Sequence, residues 1–215
     1  MKKPRGRTGF ARATGARELS FPEANFPRTK ADIETWIVKC FFSSLKENGW
    51  EPFCLANPRQ NEEQDFDYTV DSARGEGFLE LVEAGPVEVY RGDYAKAPLV
   101  TKSSDVVKNL LEKIKNKSEK YPEDRKYPLY LLIYTTQWNF ALSDAQVCWL
   151  QYELRREPPK FDGIFSCHPI EENFGQLHWL YPIPPDALTG FDPQQMKDHV
   201  VLHLDYRNFK IETNM

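Results

Sequence analysis

Apolar side chains recur with helical spacing in the first third of the chain and again near its middle. Ile33, Trp36, Ile37, Cys40, Phe41 and Leu45 follow the i, i+3, i+4, i+7 pattern of an amphipathic helix. This helix is predicted to end at Asn48-Gly49, since a glycine there can adopt the left-handed conformation of a C-cap. A second helix is predicted from about Ser103 to Lys120, and its apolar stripe comprises Val106, Val107, Leu110, Leu111 and Ile114. Ser143-Asp144-Ala145-Gln146 matches a capping box and predicts a third helix through about Arg155.

Alternating and continuous apolar runs predict the strands that connect these helices. In Phe66-Asp67-Tyr68-Thr69-Val70 the three apolar residues share one face, and Phe78–Glu83 is predicted to return beside this strand after the turn-rich segment 71–77. Leu129–Tyr134 is apolar throughout, which is typical of a strand covered on both faces. Phe161–Ser166 and Leu177–Leu180 predict two further strands. The element order predicts a mixed α/β (α+β) fold with a central mixed sheet flanked by helices.

Length and composition indicate one domain preceded by a short N-terminal arm. Six glycines and prolines interrupt residues 1–28, so we expect a flexible N-terminal arm followed by a single domain over residues 29–215. No apolar stretch is long enough for a membrane span, and no apolar segment follows the basic start as in a signal peptide. Cys40, Cys54, Cys148 and Cys167 are scattered, which favours free thiols and a cytoplasmic location.

The charge of the chain is distributed unevenly. Residues 1–17 contain six lysines and arginines and no acid, which leaves −10 for the remainder, since the whole chain carries −4. Phosphate contacts dominate nucleic-acid affinity, so an acidic body does not indicate duplex binding by itself. The basic arm could provide the positive charge for DNA binding that the acidic body lacks. The alternative is a solvated terminus without a binding role.

Two acidic segments of the predicted hairpin carry a resemblance to a known family. Asp65-Phe66-Asp67-Tyr68 and Glu80-Leu81-Val82-Glu83-Ala84, together with the element order, resemble the PD-(D/E)XK, or restriction-endonuclease-like, nuclease superfamily. In that family an acid lies on the first hairpin strand and a Glu/Asp-X-Lys triplet on the second. The resemblance extends from the first helix through Ser166, over about two-thirds of the chain.

The resemblance implies a site for Mg²⁺ or Mn²⁺. Asp67 and Glu80 would be its catalytic acids and metal ligands, joined by the carbonyl of Leu81, and Glu47 is the first-helix acid closest to that helix's end. Phosphodiester hydrolysis needs a hard cation, bound by carboxylate oxygens, which polarises the phosphate and lowers the pKa of a bound water. Acids on neighbouring strands can converge on one ion, because paired residues lie about 5 Å apart. The alternative is that both acids are solvent-facing strand residues.

The chain departs from the family pattern at the lysine of the triplet. Val82 stands there, and valine can neither donate a hydrogen bond nor transfer a proton. Loss of a positioned base costs on the order of 10²–10⁴ in rate, so the pattern predicts weak or lost cleavage. Lys96, Lys102 and Lys108 are candidates for a lysine that reaches in from elsewhere. The two functional hypotheses are therefore a nuclease-like domain with DNA as substrate or ligand, and a non-catalytic module that binds protein or nucleic acid.

The histidines offer a weaker metal hypothesis. His199 and His203 would lie about 6 Å apart on a helix but about 13 Å apart on a strand. The alternation of polar and apolar residues around them favours a strand, and therefore separate imidazoles. We expect Cys167, His168 and His178 to serve packing rather than metal ligation.

Overall fold

A six-stranded mixed sheet forms the centre of the computed structural model, which describes residues 12–14, 18–20, 27, 29–47, 53–61, 66–85, 100–136, 140–171, 173–184 and 186–202. The strands are β1 Arg12–Thr14, β2 Glu18–Ser20, β3 Ala56–Gln60, β4 Tyr68–Ser72, β5 Gly75–Glu83, β6 Val100–Lys102, β7 Leu129–Tyr134, β8 Gly163–Glu171, β9 Phe174–Tyr181 and β10 Val200–Leu202. The α-helices are α1 Lys30–Glu47, α2 Ser103–Ser118 and α3 Asp144–Arg156, and a 3₁₀ turn covers Pro193–Met196.

The strand order in this sheet is β3-β4-β5-β7-β8-β9. β5, β7 and β8 run parallel, whereas β3, β4 and β9 join their neighbours antiparallel. Two small pairs, β1–β2 and β6–β10, lie outside it. The predicted mixed α/β fold, with a central sheet flanked by helices, is confirmed.

The strand β7 is the centre of the hydrophobic core. All six of its residues are at most 2% exposed, because helices cover both faces of the sheet. α1 packs on one face with Tyr130, Leu132 and Tyr134 of β7. α2 and α3 pack on the other face with Leu129, Leu131 and Ile133. The prediction of a strand buried on both sides is confirmed.

The predicted helices are present close to their expected bounds. At the start of α1 the Thr29 hydroxyl accepts a hydrogen bond from the Asp32 amide, at 3.1 Å. Ser143 and Gln146 form the predicted capping box at the start of α3. The expected C-cap Asn48-Gly49 lies outside the described residues. None of the helices in the described part of the chain has the length and apolarity to cross a membrane.

The predicted hairpin is confirmed, with two differences. Most of the segment 71–77, predicted as a turn-rich connection, belongs to the strands, since β4 ends at Ser72 and β5 begins at Gly75. The other difference is at the beginning of the hairpin. β4 and β5 pair antiparallel from Tyr68↔Leu79 to Ser72↔Gly75. Phe66 was expected to share a face with Tyr68, and that is wrong, because Phe66 lies in a bend before β4. Its ring stacks instead on Phe78, at 4.2 Å between centroids, on the side of the sheet that α2 and α3 cover.

The sequence pattern did not predict the edge strand β3. Its residues Ala-Asn-Pro-Arg-Gln lack alternation, and Asn57 has a φ of 49°. Pro58 cannot donate to a ladder and is tolerated at an edge. Arg59 anchors the strand through ion pairs with Asp71 and Glu76. The short pair β1–β2 lies within the predicted arm, where glycines and prolines indicated little regular structure.

Asp162 connects the beginning of β8 to the beginning of β7. Its carboxylate accepts hydrogen bonds from the Leu129 amide, at 2.8 Å, and from Arg125, at 2.6 Å, and it also pairs with Arg74. Burial alone would raise the pKa of Asp162, but the Leu129 amide and the two arginines outweigh it and hold this pKa below its usual range. The negative charge of Asp162 is therefore stabilised by folding.

We predict that Asp162→Asn lowers the free energy of unfolding by about 2 kcal/mol near neutral pH, because hydrogen bonds to a charged group are lost. Because the pKa is lowered on folding, this contribution is present above the ordinary aspartate pKa of about 4 and disappears as the pH falls through the lowered value. Urea denaturation at neutral and acidic pH measures the difference, with Asp198→Asn as an exposed control. An equal loss for both variants at neutral pH would contradict the role assigned to Asp162.

Candidate metal centre

Glu80 is a buried acid in the middle of the sheet. In β5, Leu79 and Leu81 face the α1 side, whereas Phe78 and Val82 pack on the α2 side. Glu80 alternates with the leucines and therefore faces α2. It lies opposite Leu131 of β7, and the residue is 1% exposed. The sequence left open whether Glu80 is a metal ligand or a solvent-facing strand residue. Its burial excludes the solvent-facing position.

Asp67 lies just before β4 and is held against β5. Its carboxylate oxygen Oδ2 accepts a hydrogen bond of 2.7 Å from the Leu81 amide. In a strand the N–H and C=O of one residue point to the same side, so the Leu81 carbonyl is directed to the same edge. The structure thus places Asp67, just before the first strand of the hairpin, against the backbone of the second strand.

Lys117 joins the two acids from the last turn of α2. Its ammonium contacts Glu80 Oε2 directly and lies 4.0 Å from Asp67 Oδ2. The side chain of Lys117 is 24% exposed, that of Asp67 38% and that of Glu80 2%. Two carboxylates and one amine therefore lie together in one cluster. The Asp67 side of this cluster is open to solvent, and the Glu80 side is buried.

One oxygen of this cluster has an unusual environment. Glu80 Oε1 is buried and has no hydrogen-bond partner within the described part of the chain. An unsatisfied oxygen of a buried carboxylate is costly, and such groups in proteins are normally paired or coordinate metals. Oε1 therefore lies beside the Lys117–Glu80 pair without a hydrogen bond of its own among the described residues.

Tyr121 closes the cluster on its apolar side. Its ring stacks on Phe66, the neighbour of Asp67, and also contacts Phe161. Burial, followed by the neighbouring carboxylates of Glu80 and Asp67, raises the pKa of Tyr121. The Tyr121 hydroxyl lies within hydrogen-bonding reach of the Glu80 carboxylate and stays protonated at neutral pH. Tyr121 can therefore donate a hydrogen bond to Glu80.

Lys117 is not among the lysines that the sequence suggested for this site. Of those candidates, Lys102 and Lys108 do not reach the acids. Lys102 is exposed at the opposite end of α2, and Lys108 is nine residues from Lys117, or about 13 Å along the helix. Lys96 lies outside the described residues. A signal was present in the sequence, because Lys113 and Lys117 continue the helical spacing of Val106 and Leu110.

The acid of the first helix also differs from the expected one. Glu47 lies at the carboxyl end of α1, near Cys40, and not beside Asp67. Glu34, at the opposite end of α1, accepts a hydrogen bond of 3.2 Å from the Tyr134 hydroxyl. Tyr134 in turn pairs with Glu83 across β5 and β7. The expectation for Glu47 is therefore wrong, and Glu34 is the helix acid that approaches the carboxyl end of β5.

The chemistry of these donors fits a small divalent cation. Mg²⁺ is usually bound by one or two carboxylates together with water and substrate phosphates. Asp67, Glu80 and the Leu81 carbonyl provide such a set, and Glu80 Oε1 is an unused oxygen. Among the described residues no group of three or more His, Cys, Asp or Glu side chains could hold a metal ion. Asp67, Glu80 and the Leu81 carbonyl would therefore need water or a substrate to complete the coordination of a cation.

The described histidines His199 and His168 have hydrogen-bond partners other than Asp67, Glu80 and Lys117. Val200–Leu202 is a strand, as the alternation predicted, and His199 is hydrogen-bonded to Ser103 at 2.8 Å. His203 lies outside the described residues. His168 is bonded to the Thr135 hydroxyl at 2.6 Å, and burial lowers its pKa to about 4.

A groove of about 540 Å³ lies on the outer surface between α2 and α3, away from the two acids. Its floor includes Val107, Leu111 and Trp149, and lysines and glutamates alternate along its rim. Its lining includes neither Asp67 nor Glu80. The groove is therefore not part of the candidate metal centre, which is defined by the close approach of the Asp67, Glu80 and Lys117 side chains.

Comparisons with known proteins leave the family of the chain open. No protein-family model matches it, and the curated proteins include no match. A solved structure of Pyrococcus furiosus SfsA in complex with Ca²⁺ is similar at 17% sequence identity, over 81% of this chain and 75% of that chain. The TM-score of 0.28 is too low for this likeness to support a conclusion about the fold or the activity.

We predict that Lys117→Met destabilises the protein by about 3 kcal/mol or more, because it leaves the Glu80 charge buried without a partner. The double variant Glu80→Met/Lys117→Met should recover most of this loss, since no charge then remains buried. Lys115→Met, at an exposed position on the same helix, is the matched control. Urea denaturation measures all three variants, and a double variant no more stable than Lys117→Met would contradict a direct Lys117–Glu80 pair.

Proposed function

We propose that Asp67, Glu80 and Lys117 form a divalent-metal site of nuclease type with weak phosphodiesterase activity, and that DNA is its substrate. One observation carries this proposal: the Lys117 amine approaches both acids of the hairpin. An amine beside two metal-ligating acids is the arrangement that the family resemblance implies. Here it would be supplied by a helix, in place of the lysine absent at Val82.

The two acids and the Leu81 carbonyl would hold Mg²⁺ or Mn²⁺. When bound there, the cation supplies Lewis-acid polarisation of a phosphate and a lowered pKa for a bound water. The Leu81 amide fixes Asp67 Oδ2, which leaves Asp67 Oδ1 for the cation. Tyr121 stacks on Phe66 beside the two acids and forms the apolar side of the site.

Lys117 would orient the attacking water or stabilise the negative charge that develops on the phosphate. A protonated amine can do the second task without changing its protonation state. Val82 faces the same side of β5 as Glu80 and packs against the α2 side of the core. A side chain at position 82 can therefore point towards the same acids, and in this chain it contributes no polar atom.

The burial of the centre supports weak activity. Glu80 is almost fully buried, and its pairing with Lys117 must loosen before a cation and a phosphate can both approach. The separation of two buried charges is costly. Such a site favours slow hydrolysis over rapid turnover.

The second candidate function is a non-catalytic module that binds protein or nucleic acid. The direct Lys117–Glu80 contact favours it, because a carboxylate already neutralised by an ammonium has less need of a metal ion. In this case the pair serves the stability of the core. The basic arm then carries the DNA interaction alone.

We predict that Mn²⁺ raises the melting temperature of the natural protein and that Asp67→Ala abolishes this increase. Glu112→Ala, an exposed acid on α2, should keep it. Thermal unfolding with and without Mn²⁺ provides the measurement. If Mn²⁺ stabilises Asp67→Ala as much as the natural protein, its binding site lies elsewhere.

Cleavage tests the role of the amine. We predict slow cleavage of DNA in Mn²⁺ by the natural protein, a loss on the order of 10²-fold in Lys117→Met, and an increase in Val82→Lys. Lys117→Arg keeps the ion pair and separates loss of function from loss of folding. Full activity in folded Lys117→Met would refute the assignment of Lys117. Absence of both metal binding and cleavage in every variant favours the binding module.

The arm is expected to act independently of the domain. Deletion of residues 1–17 removes six positive charges, so we predict a shallower dependence of DNA affinity on salt with little change in melting temperature. A matched variant with the six basic residues changed to glutamine keeps the length of the arm. Binding assays over a range of salt concentrations compare the three proteins, and a drop of many degrees on deletion would show that the arm packs on the domain.

A further inference from the structure

Cys40 of α1 and Cys167 of β8 form a second cluster of reactive side chains, on the sheet face opposite Lys117. Both residues belong to the core beneath α1 and are at most 1% exposed. A Cβ atom added at Gly175 of β9 would lie 3.0 Å from Cys167 Sγ and 3.1 Å from Cys40 Sγ. The two sulfurs therefore pack against the same point of the neighbouring strand.

The surroundings hold the two thiols in place. Ser44 donates its hydroxyl hydrogen to the Cys40 carbonyl, at 2.8 Å, and accepts the Gly175 amide hydrogen at the same distance. This bridge ties α1 to β9 one helical turn beyond Cys40. Gly175 has no side chain, and a larger residue there would push the sulfurs aside.

The hydrogen bond between the thiols gives them different chemical roles. Donation from Cys167 lowers the pKa of Cys40, whereas the interaction with Cys40, followed by burial, raises that of Cys167. The thiolate is the nucleophilic form of cysteine. Cys40 is thus the nucleophile of the pair, and Cys167 is the thiol that can react with it second.

We propose that Cys40 and Cys167 are a site of reversible disulfide formation that cross-links α1 to the central sheet in the presence of a peroxide. The Cys40 thiolate attacks one peroxide oxygen, the O–O bond breaks, and a sulfenic acid and water are formed after proton uptake. The Cys167 sulfur then attacks the sulfenic sulfur and releases a second water. In sum, two thiols and one hydrogen peroxide give one disulfide and two waters.

The cross-link has a structural consequence. It connects positions far apart in the sequence and restricts the unfolded chain, so the oxidised protein is the more stable form. The other two cysteines cannot take this role together, since Cys54 is exposed beside β3 and Cys148 lies on α3, whereas the pair shares one buried site.

The test uses the full chain with Cys54→Ser and Cys148→Ser, which leaves Cys40 and Cys167 in their natural surroundings. The folded protein is treated with hydrogen peroxide, unfolded in the presence of an alkylating agent, and analysed by mass spectrometry. We expect the loss of two hydrogens, no alkylation, and a melting temperature several degrees higher that dithiothreitol restores to its starting value.

Two outcomes would overturn the proposal. The first is full alkylation of both thiols after peroxide treatment. The second is addition of oxygen atoms to a cysteine without a disulfide. Cys167→Ala in the same background is the matched control, and it should show no rise in melting temperature on oxidation. The natural chain with peptide mapping gives the same readout if the double serine background folds poorly.

Discussion

Burial of β7 on both faces is the constraint on which the rest of the structure depends. Leu129–Tyr134 can be shielded from water only if parallel strands flank it and helices cover both sides of the sheet. Burial of an apolar side chain of this size contributes about 1.5–3 kcal/mol. The parallel neighbours β5 and β8 are therefore drawn into the interior together with the polar residues that they carry.

Glu80 is the most consequential of those polar residues. It lies opposite Leu131 at the centre of the sheet, where an uncompensated charge would cost several kcal/mol. Lys117 provides the opposite charge from α2, and the Leu81 amide fixes Asp67 beside it. The same geometry that neutralises a buried acid thus assembles two carboxylates, a backbone carbonyl and an amine. Under the proposed function, stability and chemistry are coupled at this centre, because Lys117 would contribute to both.

The sequence predicted the elements whose signals are local. The stripe of α1, the capping box at Ser143 and the continuous apolar run of β7 each depend on a few neighbouring residues. Asp67 and Glu80 were identified through the family resemblance of the two acidic segments of the hairpin, although Asp67 lies just before β4. Lys117 was missed because several lysines lie along the second helix. Helical spacing narrows the choice to Lys113 and Lys117, and packing against the sheet then identifies Lys117 as the one that meets Glu80. β3 was missed because its residues show no apolar alternation, and the ion pairs of Arg59 are made with residues distant in the sequence.

The central claim is that Asp67, Glu80 and Leu81 surround one cation site, and paramagnetic broadening of backbone amide signals tests it most directly. Mn²⁺ broadens NMR signals of nearby nuclei, so substoichiometric Mn²⁺ should selectively weaken the amide signals of these three residues. Excess Mg²⁺ should restore them, and the Asp67→Asn variant should show no such change. Broadening centred on other residues, or none that Mg²⁺ reverses, would contradict the account.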